Sequence, residues 1–448
     1  QIWRYTAFMP YFKNSLLRFY SVLILFFAFS AQQAAAQAEN YGSPYSRFGL
    51  GDQQPLSLAH HRAMGGITTT TYDSAALNLG NAASLSDLKL TTIEFGAIGN
   101  IANIATSAAS QYRSNFNFGY LMFGFPVNKR WGTAIGFQPY SFTNYNLVSN
   151  IDSSFGSWRE EYNGLGGLNQ LSWSNGVNVG KGFHLGLTAS YLFGTINQER
   201  TFTFPFQDSL FLFNVRNSDK LRISDVQLSF GLQYRKTLKM KPGQTQKKSI
   251  AFGVVAELPS ALNASNSFVS ERFISAGNII KVVDTVLNLS DVGGTVQLPW
   301  ALSAGFQYSI DNKLLLAVEA KYTNWSDFSQ FGRPDSMQNS LQFAAGMQYT
   351  PKYNAIGDDA GFKTIRYRAG MRYNSGALVL KGQLISELGM TFGIGIPLKR
   401  PYAMPYMNIT GEIGQRGSVS NGLVRERYTR ITVGLTLNDR WFIKRKYD

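Results

Sequence analysis

The chain has 448 residues, is 44% hydrophobic and 14% aromatic, and holds 43 Gly and no Cys at a formal net charge of +15. Outside the N-terminal region no stretch reaches about 18 uncharged apolar residues, which excludes membrane-spanning helices there; with no Cys, neither a lipid-anchored lipoprotein nor a disulfide framework is expected. The basic balance suits lipopolysaccharide phosphates, anionic ligands or acidic partners, and nucleic acid is a poor match for an exported chain.

Residues 1–36 read as a secretory signal. Arg4, Lys13 and Arg18 form a basic start, Phe19 to Phe29 is apolar, and Ala34-Ala35-Ala36 offers small residues for cleavage. Removing it takes three basic residues and leaves a net charge near +12. Residues 37–87 follow, rich in turn formers (Gly42, Pro44, Gly49, Gly51, Pro55, Gly65, Gly66) and without a long alternating run. At about fifty residues this segment suits a hatch or plug within a barrel mouth.

From residue 88 to 448 one pattern recurs, an apolar side chain alternating with a polar or small one. In the last strand Ile431, Val433, Leu435 and Leu437 alternate with Thr432, Gly434, Thr436 and Asn438. Period two makes a strand greasy on one face. Many such strands with no helices to cover them predict an all-β, transmembrane antiparallel barrel, with lipid outside and a polar interior. A soluble array of β-sandwiches is the competing reading. About fourteen strands are expected, centred near residues 93, 118, 135, 174, 188, 229, 253, 304, 317, 344, 368, 391, 409 and 434. Connections at Val127 to Arg130, Gly180 to Gly182, Ser309 to Asn312 and Lys399 to Tyr402 are tight, whereas about 145–167, 197–221 and 259–297 read as long loops. Short periplasmic turns, long outside loops and an even strand count put both termini in the periplasm of a Gram-negative outer membrane.

Side-chain direction follows from the alternation. In the ninth strand Leu314, Leu316, Val318 and Tyr322 face lipid, and Glu319 and Lys321 face the lumen. The sixth puts Val226, Leu228, Phe230 and Leu232 outward. The eleventh turns Ile365, Tyr367, Met371 and Tyr373 outward and Arg366, Arg368 and Arg372 inward. The opposite register would expose arginines to hydrocarbon at roughly 2–4 kcal/mol each. Trp131, Tyr349 and Trp441 suit interfacial girdles. The inward arginines could hold an acidic headgroup by bidentate bonds. Alternatively they pair with Glu94, Glu319 or Glu412 and with the hatch, filling the lumen.

One loop holds Phe202, Phe204, Phe206, Phe211 and Phe213 with Leu210 and Leu212. So dense an apolar patch reads as a ligand groove, a partner surface or a packed extension hairpin. Pro139 in strand three cannot donate to a ladder, so it marks a local break or the strand's entry into its loop. Catalysis has little support. His60, His61 and His184 are the only histidines. His184 falls on a lumen side, no metal cluster or nucleophilic triad is present, and Gly164-Leu165-Gly166-Gly167 reads as loop glycine. No cofactor is implied.

Three features resemble the FadL-type family of outer-membrane hydrophobic-compound transporters. Leu298-Pro299-Trp300-Ala301-Leu302-Ser303 followed by Leu314 to Phe328, with Trp325-Ser326, looks like the family's leucine-proline, hairpin, tryptophan-serine passage. Ala75 to Leu85, with Asn81, is similar to its Asn-Pro-Ala segment, with Ala82 where Pro is expected. The strand count is the third. The opening Tyr41 to Asp52 looks like a divergent branch. The resemblance implies capture and passive passage of a hydrophobic or amphipathic molecule. The Phe-rich loop would take up the ligand, Arg366, Arg368 and Arg372 would orient it, and Pro139 and Asn81 would act as gate, with lateral exit into the bilayer. The alternative is a non-transporting accessory subunit of an outer-membrane secretion or insertion machine, binding proteins through its surface loops. Such barrels also serve as shuttles in type IX secretion.

Overall fold

The computed structural model describes residues 42–153, 156–204, 213–240, 246–276, 279–335, 337–353, 361–398 and 405–439. Fourteen strands form the wall: β1 (Thr91–Ala105), β2 (Ser110–Asn128), β3 (Trp131–Ser153), β4 (Gly156–Gly180), β5 (Phe183–Thr203), β6 (Asn214–Thr237), β7 (Lys248–Glu257), β8 (Ala301–Ile310), β9 (Leu314–Thr323), β10 (Ser340–Tyr349), β11 (Arg366–Asn374), β12 (Glu387–Pro397), β13 (Tyr406–Arg416) and β14 (Arg425–Asp439). Each pairs antiparallel with the next, and β14 returns to β1 from Thr91↔Asp439 to Ala105↔Arg425. The barrel is therefore closed with fourteen strands, and every expected strand centre falls inside one. Closure is what lets strands cross a bilayer, because hydrocarbon offers backbone groups no partner. The chain is an outer-membrane β-barrel.

Sidedness follows the alternation. Leu316 and Val318 on β9 are exposed, while Ala317 is buried. On β11 Tyr367, Met371 and Tyr373 are exposed and Arg368 is buried; on β6 Val226, Leu228, Phe230 and Leu232 are exposed and Gln227 and Gln233 are buried. On β14 Ile431 and Val433 face out and Thr432 and Thr436 face in. Trp131 and Tyr349 stand exposed at strand ends.

The end where β1 begins is called the near end. Its connections at 129–130, 181–182 and 311–313 are as tight as expected. At the far end the long loops become strands. Residues 145–153 and 156–167 continue the β3–β4 ladder up to Ser153↔Gly156, and 197–203 and 214–221 continue β5 and β6, whose ladder reaches Phe202↔Val215. Within 259–297 two further strands, Ser260–Ala276 and Ile279–Leu298, pair antiparallel with each other, and the first also pairs with the upper part of β6. β3 to β6 run 23, 25, 21 and 24 residues, about twice what crosses a bilayer, so this side of the wall projects beyond it. Gly164 to Gly167 lie in β4 and not in a loop. A Cβ on Gly166 would sit 2.2 Å from the Thr195 carbonyl and one on Gly167 2.2 Å from that of Ser141. Glycine is there to let three backbones crowd together, a use that local sequence cannot distinguish from a turn.

The signal region, the tight turn at Lys399–Tyr402 and Trp441 lie outside the described residues, as do both chain ends on which the shared periplasmic face rested. The described chain opens and closes at opposite ends of the barrel, Gly42 at the far end and Asp439 at the near end.

Candidate functional site: a filled lumen and a side seam

The segment before β1 threads the lumen from far end to near end. At the far end the Gly42 N–H donates to the Asn144 carbonyl at 2.8 Å. Ser43 caps the short 3-10 turn Pro44–Arg47 and donates to Glu426, and the Tyr45 hydroxyl donates to the Val424 carbonyl. Tyr45 packs there with Leu378, Ile385 and Leu423 from the far-end connections. Leu50 joins Leu168, Leu192, Ile223, Leu262, Val296 and Phe328 in an apolar core across the upper lumen. Asp52 is paired with Arg416 at 2.6 Å.

Lower down, a helical turn (Ala59–Arg62) is held by β2 and β13. The Ala59 N–H donates to the Tyr120 hydroxyl at 3.1 Å, and Thr410 donates to the Ala59 carbonyl at 2.7 Å. The Thr391 hydroxyl donates to the Ala63 carbonyl and accepts from the Gly65 N–H. Glu319 accepts the Thr68 and Thr69 N–H groups at 2.9 and 2.8 Å, and Glu94 accepts from the Leu77 N–H at 2.6 Å. Asn81 caps the 3-10 turn Ala82–Asp87 by accepting from the Ala83 N–H, and its amide donates to the Thr69 carbonyl. At the near end Asp87 pairs with Arg235.

The wall is shaped to this segment. A Cβ on Gly186 would lie 2.2 Å from the Ala83 nitrogen, and one on Gly231 2.1 Å from the Asn81 side-chain oxygen. Gly186 and Gly231 pair directly across β5 and β6, and adjacent inward glycines are the pattern by which a sequence can register such a contact.

The three inward arginines are bound within the protein. Arg372 reaches Glu412 at 2.8 Å, Glu387 at 2.5 Å and the Tyr428 hydroxyl at 3.0 Å, with Arg430 on the far oxygen of Glu412. Arg366 pairs with Asp73 of the N-terminal segment at 2.9 Å and lies over the Tyr406 ring. Arg368 donates to the amide oxygens of Gln348 and Asn408 at 2.8 and 2.9 Å. Of the expected acidic partners Glu412 is one, whereas Glu94 and Glu319 are spent on backbone N–H groups of the segment. Lys321, beside Glu319, pairs instead with Glu257 at 2.5 Å.

His184 faces the lumen, bonded to Ser86 at 2.6 Å. In the helical turn His61 is buried and His60 partly so; burial and the nearby Arg368 charge hold His61 down to about 3, and His60 is also lowered well below the ordinary histidine value. Both are neutral in the folded protein near pH 7. Among the described residues no group of three or more His, Asp or Glu is placed to hold a metal.

Of the Phe-rich loop, Phe206 and Phe211 lie outside the described residues. Phe202 ends the β5–β6 ladder opposite Val215, with the Arg200 guanidinium over its ring at 4.3 Å. The Phe204 N–H donates to Asn214, and Phe213 is exposed. This is an extension hairpin in its described parts.

Pro139 lies within β3, at a break. The β3–β4 register slips between Pro139 and Ser141, and the β2–β3 ladder stops just below, at Leu121↔Phe137. Above that point β3 turns to the N-terminal segment instead: Asp52↔Phe142 and Gln53↔Ser141 pair, and the Gln54 N–H donates to the Tyr140 carbonyl at 2.8 Å. A seam thus separates the upper halves of β2 and β3. On the outer wall nearby, Ile135, Leu171, Trp173, Tyr191 and Val226 line a shallow apolar groove of about 250 Å³.

Solved structures share this architecture. The Ralstonia pickettii toluene transporter TbuX superposes with a TM-score of 0.55 at 14% identity, over 87% of this chain and 99% of its own. The Pseudomonas putida toluene transporter TodX gives 0.54 at 14% over 87% and 99%, and a Pseudomonas aeruginosa FadL homologue 0.53 at 11% over 86% and 99%. At such identities the likeness establishes the FadL-like barrel fold alone. No curated protein matches the chain. The family model BamG matches residues 18–448, nearly the whole sequence, and the chain belongs to the BamG family.

Proposed function

We propose that this protein is a non-transporting accessory subunit of the outer-membrane barrel-insertion (BAM) machine, with its far-end loops as the protein-binding surface. Membership of the BamG family supports the association with that machine. The observation that carries the non-transporting half is the lumen. From Gly42 to Asp87 it is occupied by a segment bonded to the wall at both ends and along its middle. A molecule crossing it would have to break buried, charge-assisted bonds, each costing about 1.5–3 kcal/mol. In this reading the hatch is a fixed core, Asn81 is its cap, and Arg366, Arg368 and Arg372 are its anchors. The far end faces outward and the near-end turns face the periplasm.

The test is affinity purification in mild detergent. Stoichiometric co-purification of the insertion machine's central barrel supports the reading. A lone barrel carrying lipid or a hydrophobic ligand in its lumen overturns it.

The seam at Pro139 favours one second reading, passage of a hydrophobic molecule with lateral exit. There Phe202, Phe204, Phe206, Phe211 and Phe213 would capture the ligand, Arg366, Arg368 and Arg372 would orient its headgroup, and Pro139 and Asn81 would gate it. Locking the segment to the wall would then stop uptake.

A further inference from the structure

The near end carries an unbalanced positive charge, spread over successive turns of the barrel. Lys129 and Arg130 join β2 to β3, Lys181 lies between β4 and β5, Lys236 stands at the end of β6, and Lys313 leads into β9. The first four are exposed and Lys313 is half-exposed. Among the described residues none of these side chains is paired with a carboxylate. Asp87 at this end is taken by Arg235, and Asp311 accepts the Lys247 N–H at 3.1 Å. The far end is arranged differently, with Arg159, Arg200 and Arg216 paired to Glu161, Glu160 and Glu271.

Each of these turns also carries an aromatic ring on its membrane side. Trp131 follows Arg130. Phe183 comes two residues after Lys181 and lies 4.8 Å from the Tyr234 ring, which is two residues before Lys236. Tyr349 is the cross-strand partner of Leu314, next to Lys313. Trp131, Phe183 and Tyr349 are exposed, and the next exposed side chains toward the middle of the wall are apolar: Ile135, Leu185, Leu232 and Leu316. Outward aromatics flanking an apolar band mark the headgroup boundary of a barrel. Cations one or two residues beyond them stand at the depth of the lipid phosphates, and long stems let them reach sideways.

We propose that the near-end turns bind anionic phospholipid headgroups through Lys129, Arg130, Lys181, Lys236 and Lys313, holding a shell of such lipids around this end of the barrel. Charge complementarity selects an anionic occupant. A leaflet is that occupant because the cations recur from β2 to β9, over half of the fourteen-strand wall. A lipid leaflet surrounds the barrel on all sides, whereas a folded partner faces one sector. The repeated aromatic and cation pair also belongs to a lipid boundary and not to a protein interface. The inference goes beyond the accessory reading and does not depend on it.

The test reconstitutes the full chain in phosphatidylcholine vesicles with a trace of spin-labelled phosphatidylglycerol or spin-labelled phosphatidylcholine. The motionally restricted fraction of each label is read, and heat-modifiable migration checks that the barrel is folded. The expected result is a preference for phosphatidylglycerol of about fivefold at low salt, declining as salt is added. Lys129→Gln/Lys181→Gln/Lys313→Gln should bring it close to parity. A far-end triple of exposed cations, Lys220→Gln/Arg222→Gln/Lys281→Gln, should keep it. Equal restriction of both labels by the wild type, a preference insensitive to salt, one that survives the near-end triple, or one lost as fully in the far-end triple overturns the proposal. In cells, a photo-crosslinking residue at Lys129 or Lys313 should give lipid adducts. Adducts from both to an acidic protein instead would make the near end a protein interface and overturn it as well.

Discussion

Glu319 offers the sharpest test of whether the N-terminal segment is fixed. One of its oxygens accepts two consecutive backbone N–H groups, from Thr68 and Thr69. Glu319→Ala removes both acceptors at once. Each buried donor left unpaired costs about 1–3 kcal/mol, so two cost about 2–6. Thr69 is buried but Thr68 and Glu319 are only half-buried, so water re-satisfies part of the loss, and roughly 2–4 kcal/mol is expected. Glu319→Gln keeps a carbonyl oxygen in place and gives up only the charge, about 1 kcal/mol. The assay is urea unfolding of the barrel folded into phospholipid vesicles, comparing midpoints at constant slope. The two variants should separate, with Ala well below Gln. An Ala variant indistinguishable from wild type would show that this contact does not hold the segment, and the fixed-core account would lose its middle anchor.

Other outcomes follow from the same contacts. Arg372→Ala strands Glu387 and Glu412 in the lumen and should cost about 3–5 kcal/mol in the same assay, whereas Arg272→Ala, which breaks an exposed pair with Asp284 between the strands Ser260–Ala276 and Ile279–Leu298, should leave the midpoint unmoved. Acidification should destabilise the barrel. Unfolded histidine protonates near 6.5 and His61 in the fold only at about 3, so stability is full above 6.5 and falls with pH between those values, by up to about 1.4 kcal/mol per pH unit per such histidine; His61→Asn should flatten that dependence in a pH series of urea midpoints. Joining Thr203 to Asn214 through a short Gly-Ser link should leave the barrel heat-modifiable, because the Phe202↔Val215 pair remains, and should weaken co-purification of the machine.

The wall was legible in the sequence because its rule is local. Period-two alternation put Leu316 and Met371 outside and Arg368 inside before any pairing was known, and closure with fourteen strands follows from counting such ribbons. The lumen was legible only in part. That Arg372 would meet Glu412 could be expected from charge alone, but Glu319 and Glu94 serve main-chain N–H groups more than a dozen residues away, and no side-chain pattern announces a backbone donor. The long strands at the far end were mistaken for loops because Gly164, Gly166 and Gly167 imitate a turn. Pro139 did mark a break. What it could not disclose is that Asp52 and Gln53, nearly ninety residues earlier, would take the place of β2.

The most direct measurement is a lock. A Cβ on Gly305 would lie 3.4 Å from that of Thr69, close to disulfide geometry, and the chain has no other cysteine. With Thr69→Cys and Gly305→Cys the segment can be tied to β8 in living cells and released by reductant. If the segment is a permanent core, oxidised and reduced cells insert outer-membrane barrels equally well. Loss of function on oxidation, restored by reductant, would contradict the account and make the segment a moving gate.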